Sequence, residues 1–201
     1  MTAAEAFKAL LADAAATLKS SGYSRRGLTF FRERSGNYGL IQFQKSQKTT
    51  AKIVVFTANV GVVSGRLARF FGGTVRSGQP PDSVWHWYAR LGALRFDGQD
   101  KWWILGGTQE LDRVAREIKS ALVTLAQPEL DKYLQDESLR DLWLTGRSPG
   151  LTDLQRLKYL AILVKALGPQ ERLPSILADL RRVSRASAAW MEAKLQAGAS
   201  A

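Results

Sequence analysis

Hydrophobic and polar positions change their period along the chain, and the changes predict where helices and strands lie. Over residues 3–19 apolar side chains return every three or four positions, which predicts an amphipathic helix. Between residues 28 and 105 short segments rich in β-branched and aromatic residues alternate with polar turns, which predicts strands. From Thr108 the helical period returns and continues to residue 196.

The boundaries follow from turn residues and helix caps. We predict strands at 28–34, 39–45, 52–63, 84–88, 91–96 and 101–105, and a short helix at 64–71. Asp97-Gly98 predicts a hairpin turn between the last two strands. Beyond Thr108, Pro128 is suited to begin a helix at 128–144, and Thr152 with Gln155 forms a capping box for a helix at 153–167. The last helix is predicted at 173–196.

These elements indicate an α+β fold. An N-terminal helix would pack on a mostly antiparallel β-sheet of about five or six strands, followed by several α-helices. We expect an α+β domain at residues 1–127 and a helical C-terminal extension at 128–201. No apolar run is long enough for a transmembrane segment, and the start of the chain has no signal-peptide pattern, so a cytoplasmic location is expected.

The positive net charge indicates which classes of binding partner the protein attracts. The formal net charge is +11, and residues 1–80 hold 12 Lys plus Arg against 3 Asp plus Glu. A field of this sign concentrates anions near the N-terminal half, so nucleic acid, an acidic protein or an anionic lipid surface would be attracted. Cysteine is absent, which is compatible with a reducing compartment and excludes disulfides and thiolate metal sites.

The strand region carries the candidate binding residues. Arginines and lysines are interleaved there with aromatic residues, and alternation places Gln42 and Gln44 on one strand face and Thr57 and Asn59 on another. If these faces adjoin, they form a polar patch near His86, Arg90 and Trp102 or Trp103. The same pattern also fits a sheet with one solvated face and its aromatics in the core. The predicted binding residues are Arg25, Arg26, Arg32, Arg34, Gln42, Gln44, Lys45, Asn59, His86 and Arg90.

Catalytic signals are sparse. His86 is the only histidine; it could act as a base beside Asp82, Asp97 or Asp100, or pack among the neighbouring aromatic residues. No nucleophile motif, phosphate loop or dinucleotide motif is present, and Pro81-Asp82 with Gln99-Asp100-Lys101 lacks the spacing of a metal-dependent nuclease. We therefore expect no catalytic residues, no cofactor and no metal.

Four short motifs in order resemble the bacterial domain of unknown function 4304 family over roughly residues 5–125. The residues that carry the resemblance are Gly22-Tyr23, Arg26, Gly27, Phe30 and Arg32; Ile41–Ser46; Phe56–Val62; and His86-Trp87, Arg90-Leu91-Gly92, Leu94, Asp100 and Trp102-Trp103. The resemblance implies a compact α+β domain. It implies no activity, cofactor or catalytic residue.

Three function classes stay open. The first is a non-catalytic binding module for an acidic partner, either nucleic acid or an acidic protein as in toxin neutralisation. The second is an enzyme acting on a nucleotide or phosphorylated substrate. The third is an assembly protein that forms a homo-oligomer through the C-terminal helix, in which Trp190 lies beyond the main apolar stripe.

Overall fold

The structure, a computed structural model, describes residues 1–81, 84–95 and 97–197. It confirms the α+β class, with an N-terminal helix, an antiparallel sheet and several later helices. In chain order the elements are α1 (Ala3–Lys19), β1 (Ser24–Arg26), β2 (Thr29–Arg34), β3 (Asn37–Lys45), β4 (Val54–Val63), α2 (Gly65–Phe70), β5 (Trp87–Arg90), β6 (Trp103–Leu105), α3 (Thr108–Ala121), α4 (Gln127–Tyr133), α5 (Asp136–Leu144), α6 (Asp153–Leu167), α7 (Leu173–Val183) and α8 (Arg185–Gln196).

The sheet has six strands in the order β1-β2-β3-β4-β5, and β6 also pairs with β4. Hence β4 has β3 on one side and both short strands, β5 and β6, on the other. Phe56 is opposite Trp103 in the antiparallel β4–β6 pair. Further along β4, the backbone N–H of Leu91 donates to the carbonyl oxygen of Ala58.

This topology corrects the predicted hairpin at Asp97-Gly98, because β5 and β6 each pair with β4 and not with one another. The predicted strand at 91–96 is also wrong: residues Gly92–Leu94 form a 3-10 turn, and Phe96 lies outside the described residues. A Cβ on Gly92 would lie 2.4 Å from the backbone nitrogen of Lys101, so only glycine permits this close approach of two chain segments. Strand β1 was not predicted.

Three helix boundaries also differ from the prediction. The predicted helix at 128–144 is interrupted at Leu134 and Gln135, between α4 and α5. No break occurs at Pro128, because a π-helical turn at Leu122–Ala126 joins α3 to α4. The predicted last helix is interrupted at Ser184, whose hydroxyl accepts a hydrogen bond from the backbone N–H of Ser187 and caps α8. Within the described ranges, no helix combines the length and the apolarity needed to cross a membrane.

The chain divides into two compact units, in each of which the residues contact one another more than they contact the rest of the chain. The first comprises residues 1–32, 39–61 and 89–131, and the second comprises residues 33–38, 62–88 and 132–201. The predicted boundary between residues 127 and 128 stays a prediction. In the first unit, α1 packs against α3 and the sheet, and the ring of Phe56 contacts those of Phe7, Phe43 and Trp103 at centroid distances of 5.1 to 6.1 Å.

In the second unit a buried asparagine joins three segments. The Asn37 side-chain amide donates to the carbonyl oxygen of Leu134 (2.9 Å) and to the carboxylate of Asp136 (3.0 Å), and its oxygen accepts from the backbone N–H of Gly65 (2.9 Å). Asp136 also pairs with Arg66 in α2. Because Asn37 is buried, the loss of any of these bonds would leave an unsatisfied polar group in the interior.

Gly65 provides a stability test of this junction. A Cβ at that position would lie 2.1 Å from the carbonyl oxygen of Gly36, so we expect Gly65→Ala to lower the free energy of unfolding by about 3 kcal/mol. Urea denaturation measures the change. Gly106→Ala is the control, because its Cβ would meet only the Glu110 carboxylate at an ordinary 3.5 Å. Equal unfolding midpoints for the two variants would contradict the prediction.

Candidate functional site

Strand alternation gives the sheet two chemically different faces in the first unit. One face holds the rings of Phe30, Phe43 and Phe56, which contact each other and, through Phe7, helix α1. We call this the helix face. Because neighbouring strand residues point to opposite sides, Gln42 and Gln44 lie on the other side, where both are exposed. We call that side the polar face, and the predicted placement of Gln42 and Gln44 on one face of their strand is confirmed.

Strand register lines up polar side chains across the polar face. Arg26 is directly opposite Thr29 in the β1–β2 pair, and the Gln42 amide donates to the Thr29 hydroxyl at 3.5 Å. The Asn59 amide donates to the Gln44 side-chain oxygen at 2.9 Å. The Leu91–Ala58 backbone bond brings Arg90 beside the segment of β4 that holds Asn59. We call this set the polar row: Arg26, Thr29, Gln42, Gln44, Asn59 and Arg90.

The row crosses five strands, which at about 4.8 Å per strand spans about 19 Å. It has an arginine at each end. Arg26 is exposed, whereas Arg90 is half-buried, pairs with Asp100 at 2.5 Å and lies 5.0 Å from the centre of the Trp102 ring. The Trp102 indole N–H donates to the same carboxylate, so Asp100 and Trp102 hold the Arg90 guanidinium in place.

Other predicted basic residues lie on the helix face and are already engaged. Arg25 donates to the carbonyl oxygens of Gly27 and Leu11 and covers the ring of Phe30. The Lys45 ammonium lies 4.9 Å from the centre of the Phe7 ring. These contacts are typical of long cationic side chains that cover apolar surface.

Arg32 is the most firmly held of the helix-face residues. Its guanidinium pairs with Asp131, donates to the carbonyl oxygen of Ser21 and lies 4.9 Å from the centre of the Tyr23 ring. Burial raises the pKa of Tyr23 to about 12, although the Arg32 charge acts in the opposite direction. Arg32 therefore stabilises the packing of β2 on the segment after α1 and is poorly placed for a partner.

The remaining two predicted residues lie in the second unit. Arg34 is exposed at the end of β2. His86 is buried: its Nδ1 accepts from the backbone N–H of Ser64 at 2.9 Å, and its ring meets Tyr159 edge-on at 4.9 Å. Burial lowers the pKa of His86 to about 3, so the ring is neutral at physiological pH. Asp82, once considered as its acidic neighbour, lies outside the described residues.

The chemistry of the polar row is that of recognition. Its amides donate and accept hydrogen bonds, and its arginines attract anions. Across residues 1–81, 84–95 and 97–197, no three His, Asp or Glu side chains come together to hold a metal ion. The row can thus bind a polar, anionic partner through hydrogen bonds and charge.

A groove lies between α1 and α3 in the first unit. This groove has a volume of about 780 Å³, and its lining includes the π-helical turn through Val123. Its charged residues, Asp13, Asp112, Arg116 and Lys119, carry both signs. The groove therefore lacks the one-signed charge that would favour an anion.

Sequence reasoning missed Thr29 and the division of the arginines between two faces. The missing information was the register of the β1–β2 hairpin, which puts Arg25 opposite Phe30 and Arg26 opposite Thr29. Gly27, with a φ of +60°, was the available turn signal between these short strands.

Comparison with known proteins supports the resemblance that the motifs suggested. The family model described as domain of unknown function (DUF4304) matches residues 14–132, more than half of the chain. The chain therefore belongs to this family. Searches of curated proteins and of solved structures found no match.

His86 predicts a pH dependence of stability. Its pKa is about 3 when folded and near 6.5 when unfolded, so below pH 6.5 only the unfolded chain takes up the proton and stability falls. Between about pH 7 and about pH 5 this costs about 2 kcal/mol. We expect His86→Asn, whose side-chain oxygen can still accept from Ser64, to lose that part of the acid sensitivity in urea denaturation. An unchanged pH dependence in the variant would contradict the assignment.

Proposed function

Given a family with no assigned activity, we propose that this member is a non-catalytic binding module that holds an anionic macromolecule on its polar face. The polar row carries the proposal. It presents amide side chains, of which Gln42 and Gln44 are exposed, between two arginines across five strands. This arrangement suits an extended partner that lies across the strands.

Charge around the row supports an anionic partner. Within the first unit, residues 39–61, which include most of β3 and β4, contain 3 Lys plus Arg and no Asp or Glu. Lys48 and Lys52 in the β3–β4 turn are exposed, and Arg26 extends the positive charge to the opposite edge strand. Such a one-signed field raises the local concentration of an anion and speeds its association.

Single-stranded nucleic acid is the partner that the row fits best. Asparagine and glutamine side chains match the donor and acceptor groups of unpaired bases, and arginine matches phosphate. An acidic protein, including a neutralised toxin, shares only the charge complementarity and is the alternative outcome of the test. A cytoplasmic location stays part of the proposal. A homo-oligomer formed through the C-terminal helix, and an enzyme acting on a nucleotide or phosphorylated substrate, are the alternatives to it.

Replacing a neutral amide of the polar row with a carboxylate of the same shape tests whether the row binds an anionic partner. Gln42→Glu places a carboxylate in the middle of the row, and we expect it to weaken binding of a labelled single-stranded oligonucleotide by about fivefold, since like charges a few ångströms apart in water repel by about 1 kcal/mol. Fluorescence anisotropy at about 50 mM and about 200 mM salt measures the affinity, and the wild-type affinity should fall steeply between them.

Gln109→Glu is the matched control, because Gln109 is exposed in the first turn of α3 and its change alters the net charge equally. It should leave the affinity within about twofold of wild type. Double-stranded DNA and polyglutamate complete the series. Binding of polyglutamate alone would identify an acidic protein as the partner class. Equal losses of oligonucleotide affinity in Gln42→Glu and Gln109→Glu would show that the polar row is not the binding surface.

A further inference from the structure

The second unit exposes a stacked pair of aromatic rings. Phe71 follows α2 and is 38% exposed, and Trp190 in α8 is 40% exposed. Their ring planes are 11° apart and their centroids are 5.8 Å apart, so the two rings form one continuous apolar surface. Exposed aromatic rings offer a flat apolar surface on which a planar ligand can stack.

Buried neighbours hold both rings in place. Phe70 meets Trp190 in a T-shaped contact at 6.2 Å, and Tyr159 in α6 meets Phe71 in another at 5.7 Å. Phe70 is 6% exposed and Tyr159 is 7% exposed, so each contributes a fixed support from the interior. The exposed rings therefore have little freedom to lose when a flat ligand stacks on them.

Two lysines flank the rings. The Lys158 ammonium is 5.3 Å from the centroids of both Phe71 and Trp190, and the Lys194 ammonium is 5.6 Å from that of Trp190. Lys194 also donates to the carbonyl oxygen of Phe70 at 3.5 Å. Neither lysine forms an ion pair with a carboxylate in the part of the chain that the structure describes. We call Phe71, Trp190, Lys158 and Lys194 the aromatic platform.

We infer that the aromatic platform is a stacking site for unpaired nucleobases. A base would stack on the exposed rings, and the phosphates beside it would contact the two ammonium groups, which is how single strands are held without sequence preference. The surrounding charge favours the same ligand, because the second unit has 15 Lys plus Arg against 9 Asp plus Glu. The inference rests on the proposed function for the class of ligand and on separate residues for the site.

The test compares two strands of equal charge. A labelled oligothymidine of roughly 12 nucleotides and an abasic phosphodiester of the same length carry the same phosphates, and only the first can stack. We expect wild type to bind oligothymidine about tenfold more tightly than the abasic strand in anisotropy measurements. Trp190→Leu should remove most of this preference and leave only the part that the amides of the polar row contribute, and Trp190→Phe should keep more of it because a ring remains.

Two further variants separate stacking from misfolding. Lys158→Gln leaves both rings in place and should weaken binding of both strands with a smaller salt dependence. Tyr88→Leu is the matched control: Tyr88 is 42% exposed in the same unit but lies outside the platform, so the preference should persist. Equal binding of the two strands by wild type would overturn the inference, as would an unchanged preference in Trp190→Leu.

The outcomes also separate this inference from the proposed function. One outcome supports the polar row and contradicts the platform: the abasic strand binds as tightly as oligothymidine, and Gln42→Glu lowers the affinity for both. If oligothymidine binding depends on Trp190 but not on Gln42, the platform stands and the row fails. A wild-type dimer in light scattering that Trp190→Leu dissociates would show that a second copy covers the rings, and would overturn the platform.

Discussion

The antiparallel pairing of β4 determines where most of the candidate residues lie. This strand, Val54–Val63, is buried along nearly its whole length and pairs with β3 on one side and with β5 and β6 on the other. Its backbone bond to Leu91 brings Arg90 beside the segment that holds Asn59, and its pairing with Trp103 closes the aromatic core around Phe56. A shift of one residue in this register would exchange the two faces.

The alternation of side chains along a strand also explains why arginines of the same charge have different roles. Arg25 and Arg26 are neighbours in β1, yet Arg25 covers Phe30 on the helix face while Arg26 ends the polar row. Arg32 is on the side of Arg25 and is held by Asp131. The net charge of +11 therefore overstates the charge available to a partner, because part of it stabilises the packing of α1 and α4 on the strands.

Local patterns predicted much of the fold. The apolar stripe of α1, the Thr152–Gln155 capping box and the alternation of β3 all depend on residues close in sequence, and the structure has each of them. The elements that were predicted wrongly depend on contacts between residues that are far apart in sequence. The strand β1 is only three residues long. The turn between β5 and β6 depends on the close approach of Gly92 to Lys101. The helix breaks at Ser184 although the apolar spacing of the sequence continues through that residue. The aromatic platform likewise unites residues from three helical segments, which no local pattern reveals.

The central claim is that the polar face binds an anionic, single-stranded partner, and side-chain amide NMR tests it most directly. The Nδ2 and Nε2 groups of Gln42, Gln44 and Asn59 are in the row, and those of Gln109 and Gln170 are elsewhere. On titration with a single-stranded oligonucleotide, the account predicts that the signals of Gln42, Gln44 and Asn59 shift together with one affinity while those of Gln109 and Gln170 stay. Saturable binding that leaves the three row amides unchanged would contradict it.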